Sequence, residues 1–168
     1  DLIAQGASFR SGLADEKSLR GDIEKALACG KDRLLAVPTP KLGDIPVLLT
    51  GADAVPVYEY FSDRMAAGYV YRGFSDFEPG KPVAEYKTGD RITVEALSHL
   101  ENSDSDVPVD SEGAVIEDKV LIRDGIAENY YGSRQFSQYI GLENSSVVYN
   151  FRFSGGTATE AELREGDW

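Results

Sequence analysis

Apolar and polar positions recur with two different periods along this chain, and the change of period marks its elements. From about Glu16 to Leu35, the residues Leu19, Ile23, Ala26, Leu27 and Leu34 form one stripe, with Glu16, Lys17, Arg20 and Lys25 outside it. That spacing predicts an amphipathic helix, because residues three and four apart share a helix face. Pro38, Thr39 and Pro40 end it, since proline offers no N–H to continue the ladder. The run Asp44-Ile45-Pro46-Val47-Leu48-Leu49 predicts a short buried strand. A second helix is predicted over Gly51 to Arg72, with Asp53 near its cap and Pro56 in its first turn. Val57, Tyr60, Phe61, Met65 and Tyr69 define its buried face. Phe74 and Phe77 are expected to tuck the following loop onto the core.

The period then shortens to two. Arg91 to His99 alternates and predicts a strand, as does Val147 to Phe153. In the second of these, Val147, Tyr149, Phe151 and Phe153 share the apolar face, and Val148, Asn150 and Arg152 the other. Between them, Lys119–Arg123 and Ile126–Tyr131 flank Asp124-Gly125. Asp-Gly suits a type I′ turn, whose central residues both need positive φ. Ser133 reads as an N-cap whose hydroxyl accepts a free N–H, Phe136, Tyr139 and Ile140 fall at helical spacing, and Gly141 is the stop. After a turn at Ser154-Gly155-Gly156, Thr159 and Glu162 form a capping box that opens a short helix through Leu163. These elements predict an α+β fold: a largely antiparallel β-sheet with two main helices packed on one side.

At 168 residues the chain can bury a real core in one domain. The Gly-, Ser- and Ala-rich stretch at residues 1–14 reads as a linker or arm, and 15–168 as the domain. Asp1 is not a start residue, and Trp168 follows close on a helical signal, so a piece of a longer protein is expected. The formal charge of −12 argues against a nucleic-acid partner, which requires clustered Lys and Arg. No run of about 18 apolar residues exists to span a membrane, and no secretory leader is expected. A single cysteine, Cys29, cannot form an internal disulfide; this favours a reducing, cytoplasmic setting, with Cys29 as a small buried hydrophobe.

Few residues invite chemistry. His99 ends a strand pattern and reads as structural. Glu101 to Asp106 lacks the glycine and distal glutamate of a calcium loop. Asp110 and Glu112 read as turn chemistry rather than as an acid–base pair. Arg134 follows an N-cap, where a cation is mildly unfavourable. It therefore answers either to a carboxylate such as Glu128 or Asp118, or to a partner or peptide.

The block from Val109 to Leu142 resembles the TldD/PmbA family, known as modulators of DNA gyrase and regarded as peptidases. The likeness is carried by Asp110-Ser111-Glu112-Gly113, by Leu121-Ile122-Arg123-Asp124-Gly125, by Tyr130-Tyr131, and by Ser133-Arg134 through Ser137 to Gly141. It extends more weakly upstream to about Leu19, with Ser75, Phe77 and Val83 matched on the way, and downstream to about Leu163, with Gly156, Thr159, Glu162 and Leu163 matched. The metal-bearing branch carries a His-Glu-x-x-x-His motif directly after a strand. Setting Leu48-Leu49 on that strand end places Thr50, Gly51 and Val55 on the three functional positions.

The resemblance therefore implies the metal-free, PmbA/TldE-like branch. This chain would have no catalytic residue, no metal and no cofactor of its own, with zinc expected only in a metal-bearing partner. Its partner would be a TldD-like subunit or a second copy of itself, and its substrate an unfolded or leader peptide. Ser133, Arg134 and Tyr131 are the candidate binding residues. The alternative is a standalone binding or structural module that kept the fold and lost the peptidase chemistry.

Overall fold

A computed structural model describes residues 15–45, 47–85, 89–101, 103–143 and 145–165. The expected arm at residues 1–14 lies outside the described residues. The chain divides into two units, one of residues 1–46 with 102–104, the other of residues 47–101 with 105–168.

The first unit holds helix α1, Glu16–Leu34, almost where the apolar stripe predicts it. Its N-cap is Asp15, whose carboxylate accepts the Ser18 N–H at 3.0 Å and the Ser18 hydroxyl at 2.6 Å. Glu16 in the first turn and Lys31 and Arg33 in the last complement the helix dipole. In the stripe Leu19, Ile23, Leu27 and Leu34 are exposed and Ala26 half-buried, and Cys29 is exposed too, contrary to the buried thiol expected. Periodicity names the residues that share a face; it does not supply a surface to cover them. The buried strand expected at 44–49 is not formed either. Ile45, Val47, Leu48 and Leu49 are exposed coil and join no ladder among the described residues, and Pro46 lies outside those residues.

In the second unit the helix expected from Gly51 to Arg72 is three pieces. They are a 3₁₀ turn at Gly51–Asp53, helix α2 at Val55–Arg64 with Pro56 in its first turn, and helix α3 at Ala67–Tyr71. The interruption has a partner 65 positions downstream. The Tyr131 N–H donates to the Met65 carbonyl at 3.1 Å, and the Tyr131 carbonyl accepts the Ala67 N–H at 2.7 Å. Ala66 is pulled into extended backbone, φ −75° and ψ 129°, and the helix cannot run through it. Of the predicted buried face, Met65 is buried and Phe61 partly so, whereas Val57, Tyr60 and Tyr69 are exposed.

Four strands form one sheet among the described residues: β1 (Thr93–Leu97), β2 (Lys119–Arg123), β3 (Ile126–Ala127) and β4 (Asn150–Ser154). Their order is β3-β2-β1-β4 and every pairing is antiparallel. The α+β class and the antiparallel sheet are as the sequence predicts. Alternation in β1 sends Val94 and Ala96 into the core, while Glu95 meets Arg152 of β4 at 3.5 Å on the other face. The β2–β3 turn is made by Asp124 at φ 47° and Gly125 at φ 75°. Its tip is tied to the start of β1, with the Gly125 N–H on the Ile92 carbonyl at 2.8 Å and the Asp124 N–H on the Thr93 hydroxyl at 3.1 Å.

β3 is shorter than the run to Tyr131 predicts. A loop covers its outer edge instead: the Gly80 N–H reaches the Ala127 carbonyl at 2.8 Å, and the Ala127 N–H the Lys81 carbonyl at 2.9 Å. Phe77 in that loop is buried and accepts the Tyr130 hydroxyl on its carbonyl, whereas Phe74 is exposed against Tyr69. The core gathers Met65, Phe77, Val94, Leu121, Ile122, Tyr131 and Val148. In and just before β4, Asn150 is buried and Tyr149 exposed, so the expected apolar face holds at the half-buried Val147, Phe151 and Phe153 and fails at Tyr149.

Helix α4, Arg134–Tyr139, ends as Gly141 predicts. The Leu142 N–H donates to the Ser137 carbonyl at 2.8 Å and the Gly141 N–H to the Gln138 carbonyl at 3.2 Å, the paired bonds of a Schellman stop. Helix α5, Glu160–Glu165, opens with the reciprocal bonds of the capping box. The Thr159 N–H donates to Glu162 at 2.7 Å, and the Glu162 N–H to the Thr159 hydroxyl at 3.3 Å. No described helix is long and apolar enough to cross a membrane.

Candidate functional site

The turn at Asp110–Gly113 and the start of α4 meet, and together they place the candidate residues. Asp110 is buried and organises the turn. Its Oδ1 accepts the N–H groups of Glu112 and Ala114, both at 2.9 Å, and its Oδ2 that of Val147 at 3.0 Å. Burial pushes the Asp110 carboxyl up. The Val147, Ala114 and Glu112 amides and the Arg134 charge pull it down harder, and it ends below the usual carboxylate range. The turn reading of Asp110 and Glu112 thus holds for Asp110.

Glu112 reaches further. Its carboxylate accepts the Arg134 N–H at 2.6 Å, in the role expected of Ser133. The Ser133 side chain makes no cap bond. At φ −59° and ψ 153° Ser133 is in an extended entry conformation, and the anion supplied from Glu112 meets the first amide of α4 before the local hydroxyl does.

The Arg134 side chain is exposed and joins no carboxylate within 4.0 Å among the described residues. The two carboxylates considered for it are engaged elsewhere. Glu128 pairs with Arg123 at 2.7 Å, and Asp118 accepts the Ser98 N–H and hydroxyl, each at 2.7 Å. Arg134 instead lines a hollow of about 610 Å³ with Glu117, Ser137, Gln138, Glu143 and Ser145.

Tyr131 stands apart from the other two candidates. Its ring is buried against Phe151 at 5.4 Å between centroids, and burial pushes its phenol well above the ordinary range. The structure therefore brings Ser133 and Arg134 together beside Glu112 and sets the Tyr131 side chain in the core. The part played by Glu112 was hidden in the sequence, because its partner lies 22 residues away.

The residues on the metal-motif positions do not fit zinc. Thr50, Gly51 and Val55 carry neither imidazole nor carboxylate, while a catalytic zinc commonly takes three such ligands. Gly51 opens the 3₁₀ turn and Val55 is the first residue of α2. His99, the single histidine, is exposed and its Nδ1 meets Asp106. Asp106 is held below the usual carboxylate range by the Leu100 amide, with His99 and Asn150 adding to it, against the opposing effect of burial. No group of three or more His, Cys, Asp or Glu able to hold a metal occurs among the described residues.

The sequence pattern of the PmbA/TldA metallopeptidase C-terminal domain matches residues 42–164. The Metalloprotease PmbA of Escherichia coli O157:H7 is 27% identical over 145 residues, covering 82% of this chain and 31% of the relative. The chain thus spans about a third of that relative's length. Among solved structures, a protein of Bacteroides thetaiotaomicron bearing the name modulator of DNA gyrase has the same fold. It matches with a TM-score of 0.59 and 15% identity over 80% of this chain and 30% of its own. TldE of Thermococcus kodakarensis matches with a TM-score of 0.47 and 13% identity over 61% of this chain and 26% of its own. With residues 42–164 covered by that domain pattern, this chain belongs to the PmbA/TldA metallopeptidase family.

Proposed function

We propose that this chain is a PmbA-like, metal-free part of a TldD/PmbA-type metallopeptidase system that processes or degrades unfolded or leader peptides, and that it is itself non-catalytic. The observation that carries this is the donor set. Metal-assisted hydrolysis needs ligands that hold the ion and a base that activates its water. Thr50, Gly51 and Val55 offer neither on the positions where the family's metal-bearing branch has them. Zinc then belongs to a TldD-like partner subunit, and this chain pairs with that subunit or with a second copy of itself. A peptide laid along a sheet edge is held through backbone hydrogen bonds and needs no catalytic side chain from this chain. Ser133 and Arg134 are the polar groups placed to touch such a peptide or partner, and Tyr131 sets their position by anchoring the backbone between α2 and α3. The lone Cys29 supports a cytoplasmic setting.

The test is elemental analysis and peptide hydrolysis, on this chain alone and mixed with a family member bearing His-Glu-x-x-x-His. The expected result is no stoichiometric zinc and no hydrolysis alone, with cleavage supported in the mixture. About one tightly held zinc per chain would overturn the reading. Failure to associate with any metal-bearing member or with itself would favour a standalone binding module.

A further inference from the structure

A second hollow, of about 380 Å³, opens between α2 and β4 and shares no lining residue with the one at Arg134. Its walls are aromatic: Tyr58 from α2, and Tyr149, Phe151 and Phe153 from β4 and the residue before it. The Tyr58 and Phe153 rings lie 5.2 Å apart at 36°, and Phe151 stands 6.4 Å from Phe153. Two carboxylates, Glu59 and Asp63, share the lining with Val55, Ser62, Leu100 and Asn150, and no Lys or Arg contributes to it among the described residues.

These carboxylates are not neutralised by their neighbours. Neither forms an ion pair within 4.0 Å among the described residues; Asp63 has only a 3.4 Å contact from the Tyr69 hydroxyl. The nearby cations are committed elsewhere. Arg64 lies over the Tyr60 ring at 4.5 Å and pairs with Asp76 at 2.9 Å, and Arg152 pairs with Glu95. Aromatic walls with unneutralised carboxylates suit one kind of group, a cation on an apolar stem. The stem buries against the rings, and the charge meets ring faces and carboxylates together.

We propose that this hollow is a binding site for a basic side chain, Lys or Arg, of an extended peptide. A metal ion is the poorer occupant, because two carboxylates fall short of the six to eight oxygens that calcium takes. The site stands on its own geometry and does not depend on pairing with a metal-bearing subunit.

The test titrates the purified chain by calorimetry with three capped heptapeptides, Ser-Gly-Leu-X-Leu-Gly-Ser, in which X is Arg, norleucine or Glu. The Arg peptide is expected to bind about tenfold more tightly than the norleucine peptide at low salt, the combined scale of a cation–π contact and an exposed ion pair. The Glu peptide is expected to be weakest. Glu59→Gln combined with Asp63→Asn should cut the preference for Arg to about threefold, the part the rings supply, and leave norleucine affinity and the melting temperature unchanged. Should the double variant fail to fold, Glu59→Gln alone, at an exposed position, should reduce the preference. Equal affinity for Arg and norleucine, an Arg preference undiminished by these substitutions, or no binding of any peptide would overturn the proposal. So would stronger displacement of the Arg peptide by calcium chloride than by sodium chloride at matched ionic strength, which would assign the carboxylates to a metal.

Discussion

The Glu112 carboxylate accepts the backbone N–H of Arg134 at 2.6 Å, capping α4 from 22 residues away. The first amides of a helix have no acceptor within it, and an anion is favoured at that end. Glu112→Ala should therefore lower stability by about 1 kcal/mol, the usual scale of a lost cap, while Ser133→Ala changes it by a few tenths at most. Urea midpoints measure both. A larger loss for Ser133→Ala would return the cap to the serine hydroxyl.

Asp110 gives the turn a pH dependence of known sign. Its folded-state carboxyl sits below the ordinary value of 3.8, the amides of Val147, Ala114 and Glu112 outweighing the effect of burial. A depressed folded pKa contributes stability that is fully present above the unfolded value and is lost as pH falls through the folded one. Stability should thus be flat in this respect above pH about 5 and decline below pH about 4. In Asp110→Asn that part of the acid decline should be missing from unfolding curves taken between those limits and pH about 2. An acid decline of equal steepness in the variant would show that other carboxylates carry it.

The hairpin turn depends on Gly125, held at φ 75° next to Asp124 at φ 47°. A β-branched side chain is crowded in left-handed backbone. Gly125→Val should cost on the order of 1–2 kcal/mol, read as a lower denaturation midpoint. An unchanged midpoint would mean that the turn relaxes to another form.

Arg134 has no carboxylate partner within 4.0 Å among the described residues, so a structural ion pair is not what holds its side chain. Arg134→Ala should melt within about 0.5 kcal/mol of the parent. If Arg134 touches peptide or partner, the same variant should fail to support cleavage when mixed with a metal-bearing family member. Wild-type stability together with wild-type activity in the mixture would leave Arg134 a solvated surface charge.

The elements legible in the sequence are those whose causes lie within a few residues. Asp124-Gly125 makes its turn, Gly141 stops α4, and Thr159 with Glu162 opens α5, because each rests on contacts between near neighbours in the chain. The α1 boundaries follow for the same reason. The candidate site was legible only in part. Ser133 and Arg134 could be placed at a helix start, yet the group that caps that start could not be named.

What the tertiary structure alone decided is where the chain meets itself or fails to. Tyr131 cuts the expected long helix at Ala66 by taking the Met65 and Ala67 backbone bonds, and its ring goes into the core. The Ile126–Tyr131 strand stops at Ala127, where the Glu128 and Asn129 N–H groups converge on the single Leu121 carbonyl and the regular ladder ends. Cys29 and the apolar residues around Val47 remain exposed although their patterns call for burial. The hollow between α2 and β4 joins Glu59 to Phe153, residues with no common pattern in the chain. Local propensity and hydrophobic period act through neighbouring residues and are written in the sequence. Burial, capping from a distance and the walls of a cavity are set by which surfaces come together, and only the folded chain specifies that.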